Sequence, residues 1–321
     1  MLTELKKKLT SEPKKTIVYP EGPDKRILEA ASRIQAEGLM NMILIGNVDE
    51  VKASAAEGGF DISECTIIDP ATYVGMDEMV EKMVELRKGK MTAEQCKKAL
   101  MGGNYLGTML VKMGKADGLL GGVTYSTADT VRPALQLVKQ KAGYKSVSSS
   151  YIMAKPGHDL LCMGDPAINI KPSSEELAES AIEAARTASI FGIEPKVAML
   201  SYSTLGSGAG EDVDRVREAV KLVKEAAPDL LVDGELQFDA AVDPVVAATK
   251  CKDSKVAGQA NVFIFPEIQS ANIGCKIFQR MAGYELIGPI LQGLNAPIND
   301  LSRGANTEDV YKMSIITIAL S

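Results

Sequence analysis

The chain has no tryptophan and only 5% aromatic residues, so stacking platforms for bases or sugars are not expected. Its single histidine, His158, falls in Lys155-Pro156-Gly157-His158, which reads as a hairpin turn. That excludes a histidine metal site and leaves proton transfer to a carboxylate, a lysine or a tyrosine. The five cysteines (Cys65, Cys96, Cys162, Cys251, Cys275) are odd in number, scattered and never in C-x-x-C spacing. They read as reduced thiols, not as a disulfide frame or zinc site, and the expected compartment is the cytoplasm. No apolar run approaches the ~18 residues of a membrane span, and nothing apolar follows the lysine-rich stretch Leu2 to Leu9. Neither membrane association nor a signal peptide is therefore expected. Basic residues are in deficit, 36 Lys and Arg against 42 Asp and Glu, and the net charge of -6 argues against nucleic-acid binding. Neither G-K-[ST] nor G-x-G-x-x-G occurs, which removes a Walker loop and the usual nicotinamide fingerprint.

What is present is the composition of an α/β protein: 321 residues, 45% hydrophobic, with 28 glycines. That length predicts one large or two medium domains. Short β-rich runs at Thr16 to Tyr19, Met42 to Ile45, Cys65 to Ile68 and Ala116 to Leu120 alternate with helical periodicity. The spacing of Ile27, Ala30, Ala31 and Ile34 predicts one helix, and Met79, Met83 and Leu86 another. Such alternation implies βαβ units and a mostly parallel sheet. Near residue 143 the pattern changes to a hairpin, Val147 to Met153 with Leu160 to Met163, which marks a domain boundary. Beyond it come helices from Ser173 to Phe191, Val213 to Ala227 and Ile273 to Met281, with strands at Val197 to Leu200 and Asn261 to Phe265. The first of these helices opens on Ser173-Ser174-Glu175-Glu176, which reads as a capping box.

Three polar junctions share one chemistry. Gly121 to Asp129 leads into a helix containing Arg132, and Ser201 to Gly210 leads into the Val213 helix. Asn299-Asp300-Leu301-Ser302-Arg303-Gly304, with Asp309 beyond, is read as following an apolar strand at Leu286 to Leu291. Small hydroxyls and glycines before helix N-termini suit anion binding at the C-terminal edge of a sheet. Each junction also reads as ordinary helix capping, with Ser302 or Thr307 as the cap in the third. Asp165, in Gly164-Asp165-Pro166-Ala167-Ile168-Asn169, is a further polar candidate or an Asx turn. Arg87, Arg132, Arg280 and Arg303 lie at element ends, where a planar guanidinium suits phosphoryl oxygens. Arg26, Arg33, Arg186, Arg215 and Arg217 sit beside acids within helical stretches and read as solvated faces.

Several of these motifs carry a family resemblance that runs nearly end to end. They are Pro289-x-x-x-Gly293-Leu294-x-x-Pro297-x-Asn299-Asp300-Leu301-Ser302-Arg303-Gly304, Ser126-Thr127-Ala128-Asp129-x-x-Arg132-Pro133, Phe265-Pro266-x-x-Gln269-Ser270-x-Asn272, and Ser201-Tyr202-Ser203-Thr204. The chain resembles the phosphate acetyltransferase (phosphotransacetylase) family. The resemblance implies reversible acetyl transfer between coenzyme A and phosphate, with coenzyme A as substrate and no bound cofactor or metal. It implies a homodimer of two α/β domains with an interdomain cleft, similar to the isocitrate and isopropylmalate dehydrogenases. Residues 1–143 with 289–321 would form the first domain and 144–288 the second.

Carried over by position, Asp309 resembles the general base for the coenzyme A thiol, Ser302 an assisting hydroxyl, and Arg303 the group that binds acyl phosphate. Arg132 and Arg280 match substrate-binding arginines, and Arg87 one associated with coenzyme A. Ser126, Thr127, Ser203 and Asn299 are the further expected substrate contacts. Arg303 is expected to face phosphate and not to pair with Asp309. Where some members carry cysteine this chain has Ala305 and Pro166, so a covalent acyl-cysteine route is not expected. Three other readings compete. A phosphate butyryltransferase would differ only in acyl size. An acetyl-CoA-sensing domain should lack the Ser302–Asp309 set, and a nicotinamide-dependent dehydrogenase should show a cofactor loop.

Overall fold

The computed structural model describes residues 2–321, which form two compact units. One comprises the described residues through Lys139 together with Leu294–Ser321, and the other is Gln140–Gly293. In chain order the first unit contains α1 (Leu2–Ser11), β1 (Thr16–Tyr19), α2 (Lys25–Ala36), β2 (Asn41–Ile45), α3 (Val48–Gly58) and β3 (Thr66–Ile68). It continues through α4 (Met76–Arg87), α5 (Ala93–Leu100), α6 (Gly103–Lys112), β4 (Gly118–Gly121) and α7 (Thr127–Pro133), which runs into a π-helical turn at Ala134–Val138. Helix α2 forms where the spacing placed it: Ile27, Ala30, Ala31 and Ile34 are fully buried, and Asp24 caps it by accepting the Arg26 N–H at 2.9 Å.

The second unit holds β5 (Ser148–Ala154), β6 (Leu161–Gly164), α8 (Ser174–Ile190), β7 (Lys196–Leu200), α9 (Glu211–Ala226) and β8 (Leu231–Leu236). It is completed by α10 (Phe238–Val242), α11 (Pro244–Lys250), β9 (Val262–Ile264), α12 (Ile268–Met281) and β10 (Glu285–Gln292). Its six-stranded sheet has the order β10-β5-β6-β9-β7-β8. The pairs from β6 to β8 are parallel, whereas β10 with β5 and β5 with β6 are antiparallel. The hairpin expected near residue 150 is the β5–β6 pair, and the Ser173–Glu176 capping box forms at the start of α8. Helix α12 begins at Ile268, five residues before the expected start, because Glu267 caps it by accepting the N–H groups of Gln269 and Ser270.

The chain then returns to the first unit with β11 (Ile298–Asp300) and α13 (Thr307–Ala319). The first sheet has the order β11-β4-β1-β2-β3 and is parallel throughout. Strand ends that carry the loops after Tyr19, Ile45, Gly121 and Asp300 therefore lie along one edge. This corrects one expectation: the apolar run Leu286 to Leu291 does not lead into the 299–309 loop. It belongs to β10, paired with β5 in the second sheet, and the three-residue β11 leads into the loop instead. With Ile298 as its one apolar residue, β11 is too short for a periodic signature. Among the described residues no helix is long and apolar enough to cross a membrane.

Helix α6 approaches the turn after β1 so closely that a Cβ on Gly103 would lie 2.2 Å from the Pro20 carbonyl oxygen. Because the obstacle is backbone, Gly103→Ala should destabilise the fold by about 1–3 kcal/mol, read as a lower midpoint in urea. An unchanged midpoint would show that helix and turn separate freely.

Candidate active site

At the edge of the first sheet the turn Pro20–Asp24 connects β1 to α2 and supplies a buried carboxylate. Glu21 is 6% exposed, and its carboxylate accepts the N–H groups of Gly122 (2.8 Å), Val123 (3.2 Å), Thr124 and Tyr125 (2.9 Å), and the Thr124 hydroxyl (2.6 Å). Gly122 takes φ +102, and a Cβ there would meet Asp300 and Leu301 at 2.4 Å, so only glycine fits. The β4–α7 loop is thus an anion nest with its anion built in. Ser126 is likewise committed: its hydroxyl donates to Asp129 at 2.6 Å in the α7 capping box. Thr127 is exposed and flanks Asp300.

The β11–α13 loop lies beside this nest, joined by the Leu301 N–H donating to the Gly121 carbonyl at 2.7 Å. Ser302 and Arg303 are exposed and Asp309 is half-buried. Ser302 Oγ accepts the Gly304 N–H at 3.2 Å. Asp309 Oδ2 accepts the Asn306 N–H at 2.9 Å while Asn306 Oδ1 accepts the Asp309 N–H at 3.0 Å. The cap is therefore Asn306 and neither Ser302 nor Thr307. Among the described residues the Arg303 guanidinium has no protein partner, and it does not pair with Asp309. Asn299, expected at the substrate, is fully buried and donates its Nδ2 to Thr317 Oγ1 at 2.9 Å. A side chain at that point of β11 faces α13, so the expected contact is corrected to a packing role.

Three groups at this edge were not expected from the sequence. Asp300 is 2% exposed, and Asp300 Oδ1 and Thr130 Oγ1 are both buried without a hydrogen-bond partner among the described residues. Burial pushes its carboxyl up to about 6; the nearby hydroxyls of Thr127 and Thr130 oppose this, and the charges of Glu21 and Asp129 add to it. Glu21 is the second. Arg26 is the third, and it is no solvated face: it donates to Asp24 and to the carbonyls of Val123, Arg303 and Ala305. Burial would raise the Asp24 carboxyl, but the Arg26 hydrogen bonds outweigh it and hold the group below its ordinary value. The signal available for Glu21 was an acid beside glycine directly after a buried strand.

The remaining candidates separate. Arg132 is exposed and lines a cavity of about 330 Å³ with Asn104, Tyr105, Tyr125 and Asp129. Arg87 ends α4, with its Nε buried and unpartnered among the described residues. In the second unit Arg280 is exposed in the last turn of α12. Ser203 is fully buried and donates to Glu235 at 2.7 Å, so it is corrected from a substrate contact to a loop brace. Glu235 also accepts the Gly206 N–H at 2.9 Å and pairs with Arg217, whose Nε lies 2.8 Å away, so Arg217 is not a solvated face either. Burial alone would raise the Glu235 carboxyl, but these bonds bring it to about 2. Asp165 is the Asx turn: it is buried and accepts the N–H groups of Ala167, Ile168 and Asn169. All five cysteines are free, and among the described residues no cluster of His, Cys, Asp or Glu is arranged to hold a metal ion.

A parallel sheet whose edge presents a hydroxyl and a guanidinium unpaired among the described residues on one loop, with a carboxylate in the first turn of the helix that follows, defines an α/β enzyme with an anion-facing edge. The chain belongs to the Phosphate acetyl/butaryl transferase family, whose model matches residues 1–318, and it is an acyltransferase. It is similar to the phosphate acetyltransferase of Bacillus subtilis (54% identity, 94% of each chain). It is also similar to that of Staphylococcus epidermidis (49%, covering 99% of this chain and 98% of that one). Among solved structures it superposes on a phosphotransacetylase from Streptococcus pyogenes with TM-score 0.96 and 51% identity, covering 99% of this chain and 97% of that one. The EutD phosphotransacetylase from Staphylococcus aureus gives 0.95 and 49% with the same coverage. A branched-chain phosphotransacylase from Enterococcus faecalis, at TM-score 0.67 and 18% identity over 95% of this chain and 98% of that one, shares the fold alone.

The raised Asp300 carboxyl has a measurable consequence. Its contribution to stability is full below the unfolded-state pKa and is lost as pH rises through about 6. Asp300→Asn removes that loss, so the stability of the variant relative to wild type should rise by on the order of 2–3 kcal/mol between pH 4 and pH 7.5. Parallel pH–stability curves would contradict the assignment.

Proposed function

We propose that the chain is a phosphate acetyltransferase, catalysing acetyl-CoA + phosphate = CoA + acetyl phosphate. The observation that carries the site assignment is the exposed Arg303 guanidinium, free of protein partners among the described residues, on the loop that holds Ser302 and leads into the first turn of α13 with Asp309. A guanidinium without a protein partner is available for the phosphoryl oxygens of the substrate.

In the direction of thioester synthesis, Asp309 takes the proton from the CoA thiol. The thiolate sulfur attacks the acetyl carbonyl carbon, a C–S bond forms, and the C–O bond to phosphorus breaks. Phosphate departs with the electron pair, held by Arg303, while Ser302 hydrogen-bonds near the developing charge. Moving a proton from a free thiol to a free carboxylate costs roughly 6 kcal/mol. A turnover near 10³ s⁻¹ allows a barrier of about 13 kcal/mol, so the step is affordable when both substrates are held in line. Acyl phosphate is already activated, and this route calls on no bound cofactor. Helix dipoles contribute less than their position suggests: α7 is capped by Ser126 with Asp129, and α13 by Asn306 with Asp309.

Arg132 and Arg87 in the first unit, and Arg280 in the second, are assigned to substrate phosphates. A homodimer is the proposed assembly. Ile273, Ile277 and Met281, 58%, 53% and 84% exposed, recur every fourth residue on α12 as an apolar stripe suited to a second copy. The cytoplasm is the proposed compartment, consistent with five free thiols.

Mixing the protein with acetyl phosphate and CoA should generate thioester absorbance that phosphate inhibits. Arg303→Gln should abolish most of it, by about 10²–10³-fold in kcat. Asp309→Asn should lower kcat with CoA binding near normal. Unchanged turnover in both variants would retire the assignment of this loop.

A further inference from the structure

We propose that Arg26 is the positioning residue for this reaction, acting through the backbone of the β11–α13 loop; this rests on the reading of Arg303 and Asp309 given above. The guanidinium carries five N–H donors, and all are used within the protein. Nε and Nη2 grip Asp24 at 2.9 and 2.8 Å. The other Nη2 bond goes to the Val123 carbonyl at 2.8 Å, and Nη1 divides between the carbonyls of Arg303 and Ala305, each at 3.0 Å. One rigid plane therefore joins the β1–α2 turn, the β4–α7 loop and the β11–α13 loop. No donor remains for substrate, so a direct binding role is ruled out by valence.

What the plane fixes is specific. The carbonyls of Arg303 and Ala305 bracket Gly304, the flexible point of the loop, and the Ala305 N–H closes back on the Ser302 carbonyl at 2.8 Å. With both carbonyls on one nitrogen, the backbone from which Arg303 projects has one orientation relative to the β4–α7 loop. Arg303 itself is exposed, and among the described residues its guanidinium has no hydrogen bond or ion pair that would aim it. Its direction comes from its own peptide units, and Arg26 holds those. Asp24 keeps the fork aligned through bonds from Nε and Nη2 to its two carboxylate oxygens. A lysine would keep the charge yet could not reach four acceptors on three segments in one plane.

The test is a double-mutant cycle read by thioester formation. Arg26→Ala should lower kcat by about 100-fold with a raised KM for acetyl phosphate and a KM for CoA within about threefold. Guanidinium at non-denaturing concentration should restore part of that loss. On an Arg303→Gln background, Arg26→Ala should cost little more, because both act through one group. Arg26→Lys, which preserves the charge and guards against misfolding, should remain at least about tenfold impaired. Full additivity with Arg303→Gln, or a wild-type kcat in Arg26→Lys, would overturn the proposal. If Arg303→Gln alone left turnover intact, the site reading would be the part that failed.

Discussion

The first unit depends on where one buried carboxylate goes. Glu21 is nearly removed from solvent, which would cost several kcal/mol if it were left bare. Four backbone N–H groups and a hydroxyl from the β4–α7 loop solvate it instead, and hydrogen bonds to a charged acceptor are among the strongest a protein makes. Sequence-distant segments become one rigid edge: the turn after β1 shapes the loop after β4, and β11 adds to β4 in register. Arg26, in the first turn of the same α2 helix, then extends the hold to the loop before α13. The backbone of this edge is thereby committed within the protein.

The same device recurs in the second unit. Glu235, from the end of β8, satisfies Ser203 and the Gly206 N–H of the β7–α9 loop and is matched by Arg217. Asp165 does likewise for the turn that follows β6. Junctions rich in glycine and hydroxyls that resemble anion seats in sequence are therefore filled from within at two of three places. The third, at 299–309, differs. Its guanidinium faces outward without a protein partner among the described residues, and its own helix cap absorbs only one oxygen of Asp309. That contrast is the ground for proposing this loop as the seat of an external anion.

Much of the fold was legible because burial writes periodicity. The face of α2, the alternation of β1, β2 and β4 with helices, and the Ser173–Glu176 cap all follow from residue spacing. What escaped did so for physical reasons. β11 has one apolar residue and two polar ones, so nothing apolar marks it, and β8 hides a strand behind Asp233, Gly234 and Glu235, the last paired with Arg217. In the candidate site, Ser302, Arg303 and Asp309 were legible as types within one short stretch. Whether a donor is free or spent was not, because the partner that spends it comes from far along the chain. Glu21 lies about a hundred positions from the N–H groups it holds, Ser203 about thirty from Glu235, and Arg26 nearly three hundred from the carbonyls of Arg303 and Ala305. Asn299 and Ser203 are spent on Thr317 and Glu235, which their sequence neighbourhoods do not show, and Arg26 was misread as surface charge.

The most direct test of this arrangement is amide hydrogen exchange at Gly122–Tyr125 in Glu21→Gln compared with the unsubstituted chain. If the carboxylate is what holds the loop, those four amides should exchange at least about tenfold faster, equivalent to ~1.4 kcal/mol of lost protection, while β1 and β4 amides keep theirs. Unchanged protection at those four positions would mean that the loop holds its shape without Glu21, and the dependence of the site on that turn would fall.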